Sequence, residues 1–414
     1  MGETADSPGR IATLDILRGI AAMGILAMNI VAFAMPSQAY LNPAAYGLDS
    51  RADLVSWALS FVFIDGKMRG LFSLLFGASM LLVIDRAEAK GEASAAIHFR
   101  RMAWLALFGL LHFYFIWWGD ILFGYAVAGM LAWFFHQDPP RRLVKIALML
   151  LAVQFLIFAA IGLSMIALSA AAAAPDAGSD TLRQWQGAAS ALGTPGAAEL
   201  QRVMALHQGN YGALFLDRLR DQGTQPFTNL FFFTAETLAY MLLGMAALKS
   251  GFLTGAWSNA SYRKTALICL AIGVPVSAGM AWYLVVTDFE VARLFTIWGA
   301  GSVPVRPLMV IGLAALLILL TRRGGALVAR IAAAGRAAFT NYLGTSILMT
   351  TLFYGYGLGL FGSMSRAELW LPVIATSALM LLWSKPWLDR FRYGPLEWLW
   401  RSLARGARQP MRRT

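Results

Sequence analysis

The sequence contains few charged residues and a single cysteine. Charged side chains make up 14% of its 414 residues, against roughly a quarter in soluble domains, whereas 58% of the residues are hydrophobic. The lone Cys269 excludes an intramolecular disulfide and a cysteine metal cluster, and it lies within an apolar run. We therefore expect no disulfide framework and no bound metal.

Long apolar runs recur along nearly the whole chain, and the mean hydropathy is +0.61. They predict an all-α polytopic membrane protein, with membrane lipid as its surroundings. The formal net charge of +12 comes from basic residues that lie mostly between the apolar runs and at the carboxy terminus. This distribution is typical of cytoplasmic loops and does not predict a nucleic-acid partner.

About 20 residues are needed for each crossing, which predicts ten membrane spans. They are expected at 12–35, 53–84, 99–117, 120–136, 143–168, 228–248, 264–286, 305–321, 337–357 and 368–388. Most of the 34 Lys and Arg residues fall on one side if both termini are cytoplasmic, as the positive-inside rule requires. The chain then has transmembrane halves at 1–168 and 228–390, a large extracytoplasmic loop at 169–227 and a basic amphipathic tail at 391–414.

The large loop and the tail each show a helical pattern. Within the loop, apolar residues at helical intervals predict helix over 197–222, after a poly-alanine and a Gly/Pro/Ser-rich portion. The loop is therefore expected to be a partly ordered cap. In the tail, 394–405 is expected to form an amphipathic interfacial helix.

The first predicted span carries three polar residues in an otherwise apolar stretch. A charge at membrane depth costs at least ~2.5–3.5 kcal/mol, so Asp15 and Arg18 should face protein or water. Arg18 and Asn29 are eleven residues apart, which places them on one helix face about 16 Å apart. Gly19 lies beside this face and would let another helix approach closely. The helix is expected to form one wall of a polar crevice.

His112 lies inside the third predicted span, and Asp120 follows at its end. A histidine can shuttle protons near neutral pH, and a nearby carboxylate would orient its ring. The alternative is a buried histidine whose hydrogen bonds are satisfied by a neighbouring helix. Arg101 precedes His112 by eleven residues, the same interval as in the first span.

Glu236 lies in the middle of the sixth predicted span. A buried acid there suits either proton transfer or an ion pair. Its candidate partners are Arg18, Lys67 and Arg69, and the ion pair is the more economical reading.

Two further spans contain polar residues that need partners. In the second span, Asp65 and Arg69 lie on one polar stripe or form an intrahelical pair, with Lys67 pointing elsewhere. The ninth span begins with Arg336 and contains Asn341 near its predicted cytoplasmic end. These polar and aromatic residues also occur in ordinary helix packing.

Five motifs occur in order along the chain: LDILRGIAAMGILAMNI (14–30), FSLLFGASM (72–80), GLLHFYFIWWGDILFGY (109–125), GRAAFTNYL (335–343) and YGPLEWLWRSL (393–403). Together they resemble the YeiB-like bacterial membrane proteins, whose carboxy-terminal half is classified as a domain of unknown function, number 418. The resemblance covers nearly the whole chain outside the large loop. It implies a multi-pass protein of the bacterial cytoplasmic (inner) membrane.

The first helix also resembles that of the transmembrane acyltransferase superfamily. This group includes O-acyltransferases of bacterial surface glycans and the lysosomal heparan glucosaminide N-acetyltransferase. The O-acyltransferase branch has a histidine separated from the arginine by ten intervening residues, where this chain has Asn29 after Arg18, as in the heparan-type branch. That second branch has its essential histidine in the loop after the first span, and the loop 36–52 here has none. His112 would then have to supply the base from another helix.

The resemblance implies transfer of an acyl group from cytoplasmic acyl-CoA, most simply acetyl-CoA, to a hydroxyl or amine of a glycan or small metabolite outside. Its expected catalytic residues are His112, Asp120, Asn29 and Glu236, with Asn29 donating to the oxyanion. The expected donor-binding residues are Arg18, Arg101, Arg336, Asn341 and Lys67.

A second reading is a proton-coupled transporter or flippase. Glu236, His112 and Asp65 would form its proton relay, and the large loop its gate. Paired Gly/Pro-interrupted half-helices, which mark inverted repeats, are not evident in the sequence. The sequence leaves open whether the protein forms a homodimer.

Overall fold

The computed structural model describes residues 11–413; residues 1–10 of the predicted first half and residue 414 of the predicted tail lie outside the described part. The described chain is helical, with one isolated bridge between Phe391 and Arg412. The first seven helices are α1 (Ala12–Ala34), α2 (Gln38–Leu41), α3 (Arg51–Phe63), α4 (Lys67–Ala89), α5 (Ser94–Phe115), α6 (Leu122–Ala132) and α7 (Pro140–Ala172).

Eleven more helices complete the described chain. They are α8 (Ser179–Leu192), α9 (Ala197–Gln208), α10 (Tyr211–Arg220), α11 (Gln225–Lys249), α12 (Asn259–Val286), α13 (Val291–Thr296), α14 (Arg306–Thr321), α15 (Ala326–Arg336), α16 (Ala338–Phe353), α17 (Trp370–Arg390) and α18 (Pro395–Arg405). Short 3₁₀ turns occupy Pro43–Ala45 and Trp133–Phe135, and a π-helical turn follows α13 at Ile297–Gly301.

Six helices of the described chain are long and apolar enough to cross a membrane: α1, α3 with α4 as one unit, α7, α11, α12 and α17. A seventh span results if Val291–Gly301 and α14, which meet at 57°, are counted together. The protein is therefore an all-α, multi-pass membrane protein. Every predicted span overlaps a helix, but ten crossings would also require α5, α6 and α16 to cross.

The second predicted span is interrupted between α3 and α4. Gly66 has a φ of 69°, a left-handed conformation that glycine adopts without steric cost. Lys67 Nζ donates a hydrogen bond to Phe61 O at 2.5 Å and so satisfies a carbonyl at the end of α3. Asp65 lies in the break, and among the described residues it forms no ion pair with Arg69. The alternative of an intrahelical Asp65–Arg69 pair is therefore wrong, because the break takes Asp65 out of the helix.

Close helix crossings at glycines hold the centre of the molecule together. A Cβ on Gly19 would lie 2.2 Å from Ile331 O, so α15 packs directly on the face of α1 where a close approach is predicted. A Cβ on Gly244 would lie 1.8 Å from Leu74 O, where α11 crosses α4. Small residues allow such backbone contact inside a membrane, where apolar burial alone gives little driving force.

The segment 169–227, here named the cap, is ordered as three helices, α8, α9 and α10. The sequence predicts one helix over 197–222, but it is divided at Gly209, and Asn210 Oδ1 caps the next helix by accepting from Ala213 N at 2.9 Å. The sequence does not predict α8, because its composition is polar and rich in small residues. Backbone contacts dock the cap onto the transmembrane helices, including Gly355 N to His207 O at 2.8 Å.

The carboxy-terminal helix α18 closely matches the amphipathic helix predicted at 394–405. It packs against α5 and α16. Trp400 Nε1 donates to Arg101 O at 2.9 Å. Glu397 accepts from Phe339 N and Thr340 N, at 2.6 and 3.0 Å, at the beginning of α16. A carboxylate there satisfies free amide groups and complements the positive end of the helix dipole.

Candidate functional site at the junction of two cavities

Two cavities lie against different parts of α1 inside the helix bundle. The larger, about 370 Å³, is lined by Asn29 of α1, and the smaller, about 290 Å³, by Arg18. Ile121 and Tyr125 line both cavities, so the two are adjacent at the beginning of α6. Helix α1 therefore forms a wall of each cavity, one near its beginning and one near its end.

The smaller cavity, here named the arginine cavity, is lined by Arg18, Arg86, Arg101, Arg336 and Arg401. Three of these arginines are predicted donor-binding residues, and they come from α1, α5 and α15. The carboxylates at the cavity are Asp15 and Glu397. Arginine favours bidentate contact with phosphate groups, so the cavity has the chemistry of a site for a phosphorylated ligand.

Both carboxylates of the arginine cavity are engaged with the protein. Asp15 Oδ1 is 3.0 Å from Arg18 Nη1, an ion pair within α1. Glu397 holds the beginning of α16 through its contacts with Phe339 and Thr340, although burial raises the pKa of this carboxyl group. Among the described residues that line the cavity, the arginines outnumber the carboxylates by five to two.

Arg101 and Arg401 have aromatic rather than acidic neighbours. The Arg101 guanidinium lies 4.4 Å from the Trp400 ring centre, and that of Arg401 lies 4.5 Å from the Tyr393 ring centre. Within the described chain, neither arginine forms an ion pair with a carboxylate. Burial lowers the pKa of Arg401, with Arg405 and Arg86 contributing in the same direction. Such cations favour an anionic ligand.

The larger cavity, here named the aromatic cavity, is lined by several rings, among them Tyr40, Trp117, Trp118, Phe233 and Trp298. Its polar lining includes Asn29, Asp65, Arg69, Asp120 and Arg306. A volume of about 370 Å³ falls in the range of small-molecule sites.

An ion-pair triad lies against the aromatic cavity. Glu236 Oε2 is 2.6 Å from Arg69 Nη2, and its Oε1 is 3.0 Å from Arg306 Nη1. Arg306 Nη2 also donates to Trp298 O at 2.8 Å, and Trp298 Nε1 donates to Asp65 Oδ2 at 3.0 Å. Trp298 belongs to the π-helical turn, a feature often found at functional sites. The predicted pairing of Glu236 with Arg69 is present, and Arg306 is a second partner that the sequence did not indicate.

His112 and Asp120 form a hydrogen-bonded pair at the boundary of the two cavities. His112 Nδ1 is 2.8 Å from Asp120 Oδ1, and Asp120 Oδ2 accepts from Phe123 N at 2.9 Å. Since a carboxylate only accepts, Nδ1 carries a proton, and in the neutral ring the lone pair is therefore on Nε2. His112 Nε2 is buried and has no hydrogen-bond partner within the described chain.

Aromatic rings separate His112 from each cavity. Trp117, on the aromatic cavity, has its ring centre 6.3 Å from that of His112. Tyr342, on the arginine cavity, has its ring centre 5.3 Å away, and its hydroxyl accepts from Ile121 N at 3.3 Å. Asp120 lines the aromatic cavity directly. The pair therefore lies between the two cavities.

Two predicted donor-binding residues lie elsewhere. Asn341 Nδ2 donates to Ala334 O at 3.0 Å, and its Oδ1 accepts from Trp383 Nε1 at 2.9 Å, so this amide joins helices. Lys67 is bound to Phe61 O, as described above. Neither residue lines either of the two cavities. In residues 11–413 no group of three or more His, Cys, Asp or Glu residues is placed to hold a metal ion.

Other residues of the two cavities were not singled out from the sequence. Arg306 is a charged residue at the beginning of a predicted span, and this position could have marked it. Arg86 and Arg401 look like ordinary basic residues at a cytoplasmic face. Trp298 gives no local signal.

Comparison with known proteins shows the family of the chain. Residues 247–407 match the family described as "Protein of unknown function (DUF418)". The chain is 33% identical to "Uncharacterized protein YeiB" of Escherichia coli (strain K12), over 97% of this chain and 98% of that protein. It is 32% identical to "Uncharacterized protein YxaH" of Bacillus subtilis (strain 168), over 97% and 96% of the two chains. The chain therefore belongs to the YeiB-like DUF418 family of membrane proteins.

Proposed function

We propose that the protein is a membrane acyltransferase that moves an acyl group from cytoplasmic acyl-CoA to a hydroxyl or amine acceptor from the other side. The proposal is carried by the His112–Asp120 pair at the junction of the two cavities. One cavity has the positive charge suited to the phosphates of CoA, and the other has the volume for a small acceptor or a sugar unit. His112 itself lines neither cavity, so it would reach the reactants only after the Tyr342 or Trp117 ring has moved.

The arginine cavity would hold the donor. Arg18, Arg101 and Arg336 would contact its phosphates, and the acyl thioester, acetyl in the simplest case, would extend toward Tyr342 and Ile121. Asn341 and Lys67, which are bonded to the protein elsewhere, would have no direct contact with the donor.

The transfer step follows from the orientation of His112. Its Nε2 takes the proton of the acceptor hydroxyl or amine while the acceptor atom attacks the thioester carbonyl carbon. Asn29 donates to the oxyanion of the tetrahedral intermediate, a role typically worth ~3–4 kcal/mol. The C–S bond then breaks, the proton passes from His112 to the sulfur, and CoA and the ester or amide are released. Substrate binding must move the Tyr342 or Trp117 ring, because both cover His112.

Asp120 and Glu236 have supporting roles in this proposal. Asp120 holds the Nδ1–H tautomer and stabilises the protonated ring, as the carboxylate does in a catalytic triad. Glu236 fixes Arg69 and Arg306 at the aromatic cavity and does not exchange protons with substrate. The acceptor, a glycan or small metabolite, would lie between these arginines and Asn29.

The proposed topology has ten crossings, with α5, α6, α14 and α16 crossing in addition to the long helices. Both termini and α18 are cytoplasmic, and the cap over 169–227 lies outside, between the halves 1–168 and 228–390. The tail 391–414 then lies on the inner face. The basic residues at the arginine cavity support this orientation. Because the relatives are bacterial, we place the protein in the bacterial cytoplasmic (inner) membrane, surrounded by lipids. It would act there as a monomer or homodimer, without a nucleic-acid partner.

The experiment uses inverted inner-membrane vesicles that contain the full chain and radiolabelled acetyl-CoA. We expect label in an acceptor, with the rate reduced about 10²–10⁴-fold by His112→Gln and Asp120→Asn. His136→Gln is the matched control, since His136 lies outside both cavities and bonds Trp133 O. All variants should keep the elution profile of the unaltered protein. Absence of CoA binding at millimolar concentration would refute the proposal.

A proton-coupled transporter or flippase is the second candidate, favoured by two adjacent cavities that share Ile121 and Tyr125 in their linings. In this reading the substrate would pass Ile121 and Tyr125. Against it, proton exchange at Glu236 would require breaking ion pairs of 2.6 and 3.0 Å. Proton-driven uptake into liposomes that Glu236→Gln abolishes would establish this function instead.

A further inference from the structure

Helix α18 closes one side of the arginine cavity and contributes three residues to its lining: Glu397, Trp400 and Arg401. Its docking is specific. Glu397 binds the beginning of α16, and Trp400 Nε1 bonds the backbone of α5 at Arg101 O, 2.9 Å away. Residues from the last 20 positions of the chain therefore line the same cavity as residues of α1.

Arg401 differs from the other arginines of the tail. Arg405 lies 3.4 Å from Glu92, and Arg408 is exposed and stacks on Trp398 at 5.8 Å. Arg401 is half-buried, lies on the Tyr393 ring and lines the cavity. No carboxylate within residues 11–413 pairs with it. Its charge is thus held in the cavity without a counterion from the described residues.

Arg101 has the same arrangement on the neighbouring helix α5. Its guanidinium stacks on Trp400 at 4.4 Å, and it too has no acidic partner in the described part of the chain. Aromatic stacking fixes the plane of a guanidinium and leaves its N–H edge available for an anion. Two such cations on facing elements repel each other until an anion lies between them.

We infer that the carboxy-terminal helix forms part of the donor site, with Arg401 binding a phosphate group of the ligand together with Arg101. Trp400 is a positioning residue that orients Arg101. This inference rests on the proposed function, because it takes the arginine cavity as the site of the donor. Since the ligand joins α18 to α5, its binding also stabilises the docked position of the tail.

The test measures binding of CoA to the purified full-length protein in lipid nanodiscs by isothermal titration calorimetry. Arg401→Gln should raise the Kd for CoA about tenfold or more, the effect of losing a charge-assisted hydrogen bond. Arg401→Lys should recover part of the affinity, because it restores the charge without the bidentate geometry. Arg408→Gln, which removes a charge from the same tail outside the cavity, should leave the Kd within about twofold.

Hydrogen exchange of tail peptides covering 393–409 separates binding from folding. Without ligand, Arg401→Gln should exchange no faster than the unaltered protein, and CoA should protect the tail only where Arg401 is present. Faster exchange of the variant without CoA would show a structural role and overturn the inference. If Arg401→Gln and Arg408→Gln weaken CoA binding equally, the inference about Arg401 is overturned while the proposed function stands. No CoA binding by the unaltered protein would overturn the proposed donor as well.

Discussion

Replacement of Glu236 by alanine tests the ion-pair triad at the aromatic cavity. The Glu236 side chain is 3% exposed, and it is the one carboxylate that pairs with Arg69 and Arg306 within the described chain. Glu236→Ala would leave two facing guanidinium groups in the interior without their counterion. Arg306 could still bond Trp298 O at 2.8 Å, but this contact does not neutralise its charge.

The expected cost follows from this geometry. Removing one partner of a buried ion pair typically destabilises a protein by about 3–5 kcal/mol. Glu236→Gln should fall at the lower end of that range, because the amide oxygen can still accept one hydrogen bond. Combining Glu236→Gln with Arg69→Gln should cost less than the sum of the single changes, since the double variant leaves one cation rather than two.

The assay is unfolding in mixed detergent micelles, with the fraction folded followed by tryptophan fluorescence under conditions where the transition is reversible. Asp389→Asn is the matched control: it removes the carboxylate of an exposed pair with Lys385, at 2.7 Å. Its free energy of unfolding should change by no more than about 1 kcal/mol. If Glu236→Ala costs no more than Asp389→Asn, the triad contributes nothing to stability and the reasoning fails.

Two further predictions concern helix packing and the cap. Gly335→Ala should reduce the yield of folded protein, because the new Cβ would lie 1.9 Å from Asp15 O. Gly344→Ala, whose Cβ would have no atom within 4 Å, should be neutral or slightly stabilising in a thermal-unfolding assay. Equal effects of the two substitutions would contradict the contact between α15 and α1. His207 packs on Phe361 with ring centres 4.3 Å apart, and burial lowers its pKa to about 4. Because the undocked residue binds a proton below about pH 6.5, cap stability should be complete above that pH. It should fall by up to about 1.4 kcal/mol per pH unit toward pH 4. Hydrogen exchange of cap peptides should show this loss, and His207→Phe should abolish it; an unchanged pH dependence in the variant would exclude His207 as the cause.

The sequence alone was sufficient to predict the class of the protein and some of the residues at the candidate site. Apolar runs interrupted by few charges specify membrane helices, because the bilayer requires continuous apolar segments with internally bonded backbones. Polar residues within these runs stand out because burying them is costly. On that basis His112 and Asp120, which the structure places 2.8 Å apart, could be identified in advance. The same reasoning also selected Asn341 as a donor-binding residue, but its amide hydrogen-bonds to Ala334 and Trp383 and lines neither cavity.

Tertiary structure decided which polar residues face one another. Glu236 and Arg306 are 70 positions apart, and Arg101 and Trp400 are 299 positions apart. No periodicity links residues at such separations. Helix α8 also escaped prediction, because its composition is polar and rich in small residues.

The sequence by itself determined that α1 carries Arg18 and Asn29 on one face of a membrane helix, since helical geometry fixes that relation. Only the tertiary structure decided that the two residues line different cavities. The reason is physical: cavities are enclosed by several helices whose crossings depend on contacts such as that of Gly19 with Ile331 O. The position of His112 and Asp120 between those adjacent cavities is a property of the packed bundle.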